Sequence, residues 1–293
     1  MNVTLSGKVA VITGGSRGFG LAMARAFLDA GAAVVIAARS AQGVEDAVAQ
    51  LRLAGSSIAG TVCDVTDPAQ VQRLADFAIV RFGRLDVWVN NAGMAGPYGA
   101  TVAIPPEAFT QVMHTNIGGV VNGSIVALRH FLTQGGGKLI NILGHGERGP
   151  VAYQNPYASS KAWARNFTLA LAKEHKASGV GVYALQPGMM ATDLLLQVDV
   201  VSGYEARLKS FGTVIQILAK SPDKAARKAV WLASAATDGR TGLYVSASSI
   251  VGMLRGAFRY GFGRLLGRLE PPPEVTLRIL PAAFEVPEKT EKH

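Results

Sequence analysis

Short apolar runs alternate with amphipathic stretches along most of the chain. The apolar runs are rich in β-branched residues, and each has the length of a buried strand. We predict strands at residues 8–13, 33–38, 57–62, 85–90, 138–143 and 180–186. Apolar residues recur at helical spacing between these runs, which predicts helices at residues 21–30, 68–82, 107–133 and 157–178. This alternation predicts a doubly wound α/β fold, in which one parallel sheet carries helices on both faces.

The composition narrows the class of protein. At 293 residues, the chain is long enough for one α/β domain followed by an extension. Its one cysteine, Cys63, excludes an intramolecular disulfide and a cysteine-based zinc site, and it fits a reducing, cytoplasmic location. The histidines show no metal-ligand spacing, so we predict no metal. No uncharged apolar run reaches the ~18 residues of a membrane-spanning helix, and the first residues carry no signal-like apolar core.

The first predicted strand leads into a glycine-rich turn and then into a helix. The turn reads Gly-Gly-Ser-Arg-Gly-Phe-Gly at residues 14–20. In this setting glycines let a pyrophosphate approach the free N–H groups at the helix N-terminus. We therefore predict a dinucleotide site that is formed here by Gly14, Ser16, Arg17, Gly18, Phe19 and Gly20.

A tyrosine and a lysine lie one helical turn apart in Asn-Pro-Tyr-Ala-Ser-Ser-Lys, as Tyr157 and Lys161. A neighbouring ammonium favours the phenolate, so we expect it to lower the pKa of the tyrosine from its ordinary value of about 10. Such a tyrosine can give or take a proton during hydride transfer at a carbonyl carbon. Surface pairs on helices share this spacing, so the catalytic interpretation depends on the rest of the chain.

The motifs together resemble those of the short-chain dehydrogenase/reductase family. The glycine turn has the spacing T-G-x-x-x-G-x-G, and the chain also carries Asn-Asn-Ala-Gly at residues 90–93, Asn116, and Pro-Gly at residues 187–188. The resemblance covers residues 5–247. It implies a single Rossmann-like domain, which we assign to residues 1–248, followed by a basic, apolar extension at residues 249–293. It also implies a homo-oligomer, either a dimer or a tetramer.

The resemblance implies roles for further residues. Lys161 would also bind the nicotinamide ribose. Asn116 would hold a water that connects the lysine to solvent; alternatively, it is a polar residue that kinks a helix. The residues implied around the adenosine are Asp64, Val65, Asn91 and Gly93, and those beside the nicotinamide are Pro187, Gly188, Met190 and Thr192.

Two arginines favour NADP(H) over NAD(H) as the cofactor. NAD-selective folds place an acidic residue after the second strand, where it binds the ribose 2′-hydroxyl. This chain instead reads Ala-Ala-Arg-Ser at residues 37–40, and Arg17 lies in the glycine turn. Guanidinium groups bind phosphate oxygens through paired donors, so we expect Arg17 and Arg39 to converge on the 2′-phosphate. Taken alone, Arg39 is equally well explained as a solvated surface residue.

The family's serine, which donates a hydrogen bond to the substrate oxygen, is missing. Thirteen residues before Tyr157 the chain has Gly144. Loss of one preorganised donor costs about 10²–10³ in rate at an oxyanion-type site. Three explanations remain open: His145 donates instead of standing exposed in its loop, the glycine makes room for a bulky substrate, or the protein binds NADP(H) without catalysis.

Members of the chlorophyll b reductase branch of the family also lack this serine. The chain is similar to that branch in the stretch Pro-Gly-Met-Met-Ala-Thr-Asp-Leu-Leu-Leu at residues 187–196 as well. This resemblance implies that NADPH reduces the C7 formyl group of chlorophyll b or of a related tetrapyrrole. A small-molecule hydrophobic carbonyl substrate is expected in any case. The alternatives are ketones, steroids and 3-oxoacyl chains.

The extension is both basic and apolar. Arginines and apolar residues of the stretch 249–269 fall on opposite sides of two short predicted helices, which are separated by Gly261 and Gly263. Such segments can lie on anionic membranes; the alternative is an arm that packs over the substrate pocket or a partner subunit. The net charge of +9 does not indicate nucleic-acid binding, because the arginines are dispersed and no nucleic-acid motif is present.

Overall fold

The predicted α/β fold is confirmed by a computed structural model that describes residues 3–52, 57–248, 258, 260–262, 265–266 and 271–285. Its strands are β1 (Val9–Thr13), β2 (Ala33–Ala38), β3 (Ile58–Val62), β4 (Val87–Asn90), β5 (Gly137–Ile142), β6 (Val180–Gln186), β7 (Gln197–Val201), β8 (Leu243–Ser246) and β9 (Thr276–Leu280). Seven of them form a parallel sheet in the order β3-β2-β1-β4-β5-β6-β8.

Helices connect the strands of this sheet. They are α1 (Gly18–Asp29), α2 (Ala41–Leu51), α3 (Pro68–Phe82), α4 (Pro106–Met113), α5 (Gly119–Gln134), α6 (Asn155–Glu174), α7 (Asp193–Leu196), α8 (Phe211–Leu218) and α9 (Asp223–Ala233). A π-helical turn at His114–Gly118 joins α4 to α5. Short 3₁₀ helices lie at Thr101–Ala103, Glu205–Leu208 and Ala235–Thr237.

The sheet is buried on both faces. Along β1, the side chains of Ala10 and Ile12 enter the layer that α1 and α9 cover, whereas Val11 enters the opposite layer beneath α3 and α5. Successive residues of a strand point to opposite faces, so an unbroken apolar run is needed where helices cover both sides. This is why the strands appear in the sequence as continuous apolar segments.

The strand order fixes where a ligand can bind. The chain passes from β1 outward to β2 and β3, and then crosses back to β4 on the other side of β1. In a parallel sheet this reversal opens a crevice at the carboxyl ends of the strands. The residues that follow β1, β4, β5 and β6 therefore share one edge of the sheet.

The described part of the C-terminal extension folds back onto the main domain. Strand β9 pairs in parallel with β7, and Val200 of β7 also bridges to Tyr98. The Arg278 guanidinium donates to both carboxylate oxygens of Asp199, at 2.7 and 2.6 Å. Residues 271–285 thus pack on the protein itself, whereas the predicted arm over the substrate pocket or a partner subunit concerned residues 249–269 and stays a prediction. The two helices predicted within 249–269 lie largely outside the described residues.

Candidate active site

The glycine turn has the geometry of a cradle. Gly14 and Gly18 have φ values of +63° and +55°, which side chains disfavour. A Cβ on Gly14 would lie 2.9 Å from the Cα of Ala92, and a Cβ on Gly20 would overlap the carbonyl oxygen of Gly14. The first turn of α1 has neither a side-chain cap nor an acidic residue, which leaves its N–H groups for an anion. These features fit the pyrophosphate of a dinucleotide.

Asn91 braces this cradle. Its side-chain amide donates to the carbonyl oxygens of Thr13 and Gly14, at 2.9 and 3.0 Å. The Thr13 hydroxyl accepts in turn from the N–H groups of Asn91 and Ala92, both at 3.1 Å. The side chain predicted beneath the ribose therefore also holds the ends of β1 and β4 together.

The predicted adenine residues follow β3 at the same edge of the sheet. The Asp64 carboxylate accepts from the N–H and the hydroxyl of Thr66, at 2.9 and 2.8 Å. Val65 is buried, and its carbonyl oxygen accepts from the Asn122 amide at 2.9 Å. These bonds fix the turn, while contact with adenine stays a prediction.

The two arginines predicted at the 2′-phosphate have different surroundings. Arg39 is exposed at the end of β2, next to Ser40, whose hydroxyl caps α2. The Arg17 guanidinium lies 3.3 Å from the Asp193 carboxylate, across the crevice. In this structure Arg17 therefore pairs with the first residue of α7, and its convergence with Arg39 on a 2′-phosphate stays a prediction.

The structure brings Tyr157 and Lys161 together on α6. The Lys161 ammonium is buried, donates to the Ile142 carbonyl oxygen at 3.2 Å and lies 5.6 Å from the centre of the Tyr157 ring. Helix α6 starts at Asn155 with a proline in its first turn, which suits a helix start because proline lacks an N–H group. The helix therefore presents both side chains at the end of β5.

Burial sets the ionisation of this pair. It raises the pKa of Tyr157 to about 12 and lowers the pKa of Lys161 to about 8. Removal from water disfavours the charged form of each group, and for Tyr157 this outweighs any help from the nearby ammonium. The expectation that Lys161 lowers the pKa of Tyr157 is thus wrong for the protein alone. Tyr157 is a protonated acid at neutral pH.

Asn116 lies in the π-helical turn and is fully buried. Its Oδ1 accepts from the Met94 N–H at 2.9 Å, and its Nδ2 donates to the Met94 carbonyl oxygen and to the Ser160 hydroxyl, both at 3.0 Å. The side chain therefore fastens the loop after β4 to α6. The sequence did not identify Ser160, although it lies next to Lys161 in the motif.

Gly93 lies next to the polar groups of the predicted proton relay. A Cβ on Gly93 would lie 3.2 Å from Oδ1 of Asn116 and 3.7 Å from the Lys161 ammonium. Gly93 is itself exposed. Gly93 therefore lies beside both polar groups, and the relay water stays a prediction.

The lack of a side chain at Gly144 leaves room for the hydroxyl group of Tyr157. A Cβ on Gly144 would overlap the Tyr157 hydroxyl oxygen and lie 2.8 Å from Cζ of the same ring. The tyrosine hydroxyl thus occupies the space in which a serine side chain would start. His145 is exposed, which favours its interpretation as a loop histidine over that of a replacement donor.

The loop after β6 closes the other side of the crevice. Gly188 has a φ of +83°, and a Cβ there would lie 2.7 Å from the Ser248 hydroxyl oxygen. Met190 is buried, and Thr192 lies near the glycine turn, since a Cβ on Gly18 would be 3.4 Å from Cβ of Thr192. Thr192 therefore faces the glycine turn, while contact of these residues with nicotinamide stays a prediction.

A buried polar network, which the sequence reasoning missed, connects the sheet to α6. The Asn90 amide donates to Oδ1 of Asn141 at 2.9 Å and to the Ser124 hydroxyl at 3.1 Å. The Asn141 amide donates to the Thr168 hydroxyl on α6 at 2.9 Å. An asparagine within each of two adjacent apolar strands was the available signal. The network fixes the helix that carries Tyr157.

Comparison with known proteins identifies the family. The short chain dehydrogenase family matches residues 8–199, and the chain belongs to this family. It is therefore an NAD(P)-dependent oxidoreductase with the Rossmann-like fold of that family.

Relatives with several activities are similar to the chain. The putative ketoacyl reductase 1 of the granaticin polyketide synthase from Streptomyces violaceoruber is 36% identical over 67% of this chain and 72% of its own length. The probable chloroplastic chlorophyll(ide) b reductase of Oryza sativa subsp. japonica is 34% identical over 75% of this chain, which covers 46% of that protein. The 3beta-hydroxysteroid dehydrogenase 1 of Eggerthella lenta is 35% identical over 78% of this chain and 88% of its own.

Solved structures share the fold. A variant of the actinorhodin polyketide ketoreductase with NADPH has a TM-score of 0.76 at 28% identity, covering 84% of this chain and 97% of its own. The Brucella melitensis 3-ketoacyl-(acyl-carrier-protein) reductase with NADH has a TM-score of 0.74 at 29% identity, covering 83% of this chain and 98% of its own.

Within the described residues, none of the helices combines the length and apolarity needed to cross a membrane.

We predict that Gly144→Ser lowers kcat by about tenfold or more, because the new side chain displaces the Tyr157 hydroxyl from the position where it reacts. Gly149→Ala is the matched control, since a Cβ there meets nothing within 4 Å. Steady-state kinetics of both variants test this. A serine variant as fast as the wild type, or faster, would show that the phenol does not need this space.

We predict that kcat/KM for NADPH falls as the pH rises through about 8, because Lys161 then loses the proton that makes it an ammonium. Tyr157 stays protonated through this range, since its pKa is raised to about 12. In Lys161→Arg the remaining activity should lack this fall, because a guanidinium stays charged. A wild-type profile that is flat to pH ~10, or the same fall in the arginine variant, would contradict this assignment.

Proposed function

We propose that the protein reduces the carbonyl group of a bulky hydrophobic substrate with NADPH. The observation that carries this proposal is the Tyr157 hydroxyl, a protonated acid held in the space that Gly144 leaves free. It lies on the crevice whose glycine turn fits a pyrophosphate. An acid beside a dinucleotide crevice is what carbonyl reduction requires.

The preference for NADP(H) rests on the end of β2. Arg39 stands there in place of an acidic residue, and it is exposed and available. Ser16 of the glycine turn lies close by, since a Cβ on Gly43 in the first turn of α2 would be 3.7 Å from its hydroxyl oxygen. A guanidinium and hydroxyl groups suit a 2′-phosphate. Arg17 would join them only after leaving Asp193.

The residues of the chain divide the chemistry among them. The glycine turn and α1 hold the pyrophosphate, and NADPH, when bound, supplies the hydride to the carbonyl carbon. Tyr157 donates its proton to the substrate oxygen as negative charge develops there, which is favourable because an alkoxide is a stronger base than a phenolate. The Lys161 ammonium then stabilises the phenolate. Water that enters beside Gly93 returns the proton.

The proposed substrate class follows from the relatives. The Tyr157 hydroxyl fills the space at Gly144, so the glycine itself adds no room for a substrate. A chlorophyll(ide) b reductase is among the similar proteins. We propose a large cyclic aldehyde, with the C7 formyl group of chlorophyll b or a related tetrapyrrole as the leading candidate. Ketones, steroids and 3-oxoacyl chains are the alternatives, because reductases and dehydrogenases named for such substrates are equally similar.

A non-catalytic NADP(H)-binding protein is the second candidate, and the missing donor at Gly144 is the observation that favours it. Purified protein with NADPH and a panel of formyl tetrapyrroles, ketosteroids and 3-oxoacyl thioesters separates the two. Turnover of any of them supports the reductase. Intact NADPH binding without turnover on all of them supports the second candidate.

We also propose a homo-oligomer and a peripheral contact of the extension with anionic membranes. Phe258 and Phe262 stack at 6.0 Å and are 75% and 54% exposed, and Leu265 is 81% exposed. The chain has a net charge of +9, which attracts it to acidic lipid. Cosedimentation with anionic but not with zwitterionic vesicles is expected. Equal recovery with both would contradict the membrane contact.

We predict that Tyr157→Phe abolishes turnover and leaves the affinity for NADPH nearly unchanged, because only the proton donor is removed. Tyr260→Phe, in the extension, is the control and should remain active. Stopped-flow measurement of NADPH oxidation, together with fluorescence titration of NADPH, separates turnover from binding. Activity retained in Tyr157→Phe would refute its role as the proton donor.

We predict that Arg39→Ala weakens NADPH binding by about tenfold or more and leaves NADH binding within about twofold, because only NADPH carries the 2′-phosphate. Arg25→Ala, an exposed arginine on α1, serves as the control. Dissociation constants for both cofactors are measured for each variant. Equal losses for NADPH and NADH would place Arg39 away from the phosphate.

A further inference from the structure

Three tyrosine rings from three separate loops meet at the edge of the sheet that carries the crevice. The ring centres of Tyr98 and Tyr153 are 5.7 Å apart, and those of Tyr153 and Tyr204 are 5.8 Å apart. Tyr98 follows β4, Tyr153 follows β5, and Tyr204 lies in the segment that follows β6. All three rings are partly exposed, so a ligand can touch them.

Tyr153 is held in a strained backbone conformation. Its φ is +65°, and among the described residues it is the one non-glycine residue with a positive φ. Such a conformation costs of the order of 1–3 kcal/mol for a bulky residue and is kept mainly at functional sites. The Gly99 N–H donates to its carbonyl oxygen at 2.9 Å and holds it there. Tyr153 lies just before α6, the helix that carries Tyr157.

An arginine completes the group. The guanidinium carbon of Arg207 lies 4.4 Å from the centre of the Tyr153 ring. The side chain is exposed, and no acidic residue in the described ranges forms an ion pair with it. Its neighbour Glu205 accepts instead from the Gly203 N–H at 2.9 Å. A guanidinium stacked on a ring keeps its edge donors free for an anion.

We propose that Tyr98, Tyr153, Tyr204 and Arg207, the tyrosine–arginine cluster, bind a carboxylate on the substrate. The ring faces would cover the apolar or aromatic body of the molecule, and Arg207 would pair with its carboxylate through two parallel donors. This inference rests on the proposed function, because the reducible carbonyl of the same molecule must reach Tyr157. It narrows the substrate class to carbonyl compounds that carry a free carboxylate on a ring-containing body, so a tetrapyrrole substrate would be a free acid and not an ester such as chlorophyll b.

Binding of a ring carboxylate tests the cluster without turnover. The protein saturated with NADP⁺ is titrated calorimetrically with 2-naphthoate and with the neutral 2-naphthamide. The wild type should bind the carboxylate about tenfold more tightly, the effect of one charge-assisted pair. Arg207→Met, which keeps the stem and removes the charge, should abolish this preference, whereas Tyr153→Leu should weaken both ligands. Arg227→Met, an exposed arginine on α9, is the matched control and should keep the preference.

Three results would overturn the inference. They are equal affinity for the two ligands in the wild type, absence of binding by both, and a carboxylate preference that survives in Arg207→Met. Failure of the proposed function would look different. In that case the protein would reduce no carbonyl compound but would still bind the carboxylate through Arg207. This result would refute the reductase and support the tyrosine–arginine cluster.

Discussion

The site depends on the space that a missing side chain leaves at the end of β5. Because Gly144 has no Cβ, the phenol of Tyr157 can sit against the backbone there. That position buries the hydroxyl and raises its pKa to about 12. The same glycine removes the donor that a serine would offer. Gly144 therefore has two effects: it allows the burial that raises the pKa of Tyr157, and it leaves Tyr157 to act on the substrate oxygen without a serine beside it.

The surrounding structure keeps this arrangement rigid. A buried amide network runs from Asn90 through Asn141 to α6, and Asn116 binds both backbone groups of Met94. Fully satisfied polar networks of this type specify one packing of a core. The loop after β4, the carboxyl end of β5 and α6 are consequently bonded to one another. A proton donor needs such fixed geometry, because small displacements are costly for catalysis.

Local signals made much of the fold predictable, and long-range contacts explain what was missed. Helix α3 was predicted from its apolar spacing with the bounds that the structure gives it, and local groups mark both ends there: Asp67 caps its start and Gly83, with φ +81°, ends it. The pairing of β9 with β7 and the contact of Arg17 with Asp193 join residues distant in the sequence. No local pattern marks such contacts. The sign of the pKa change at Tyr157 was wrong for the same reason, since burial is a property of the folded chain.

The ionisation of Tyr157 is the direct test of this account. Protein labelled with ¹³C at the tyrosine ζ-carbons, with the signal assigned by loss in a Tyr157 variant, can be titrated by NMR with and without NADP⁺. We expect the Tyr157 signal of the free protein to stay that of a phenol until the pH nears 12, and the positive nicotinamide ring to shift the change to lower pH. A Tyr157 signal that titrates at pH 10 or below in the free protein would contradict it.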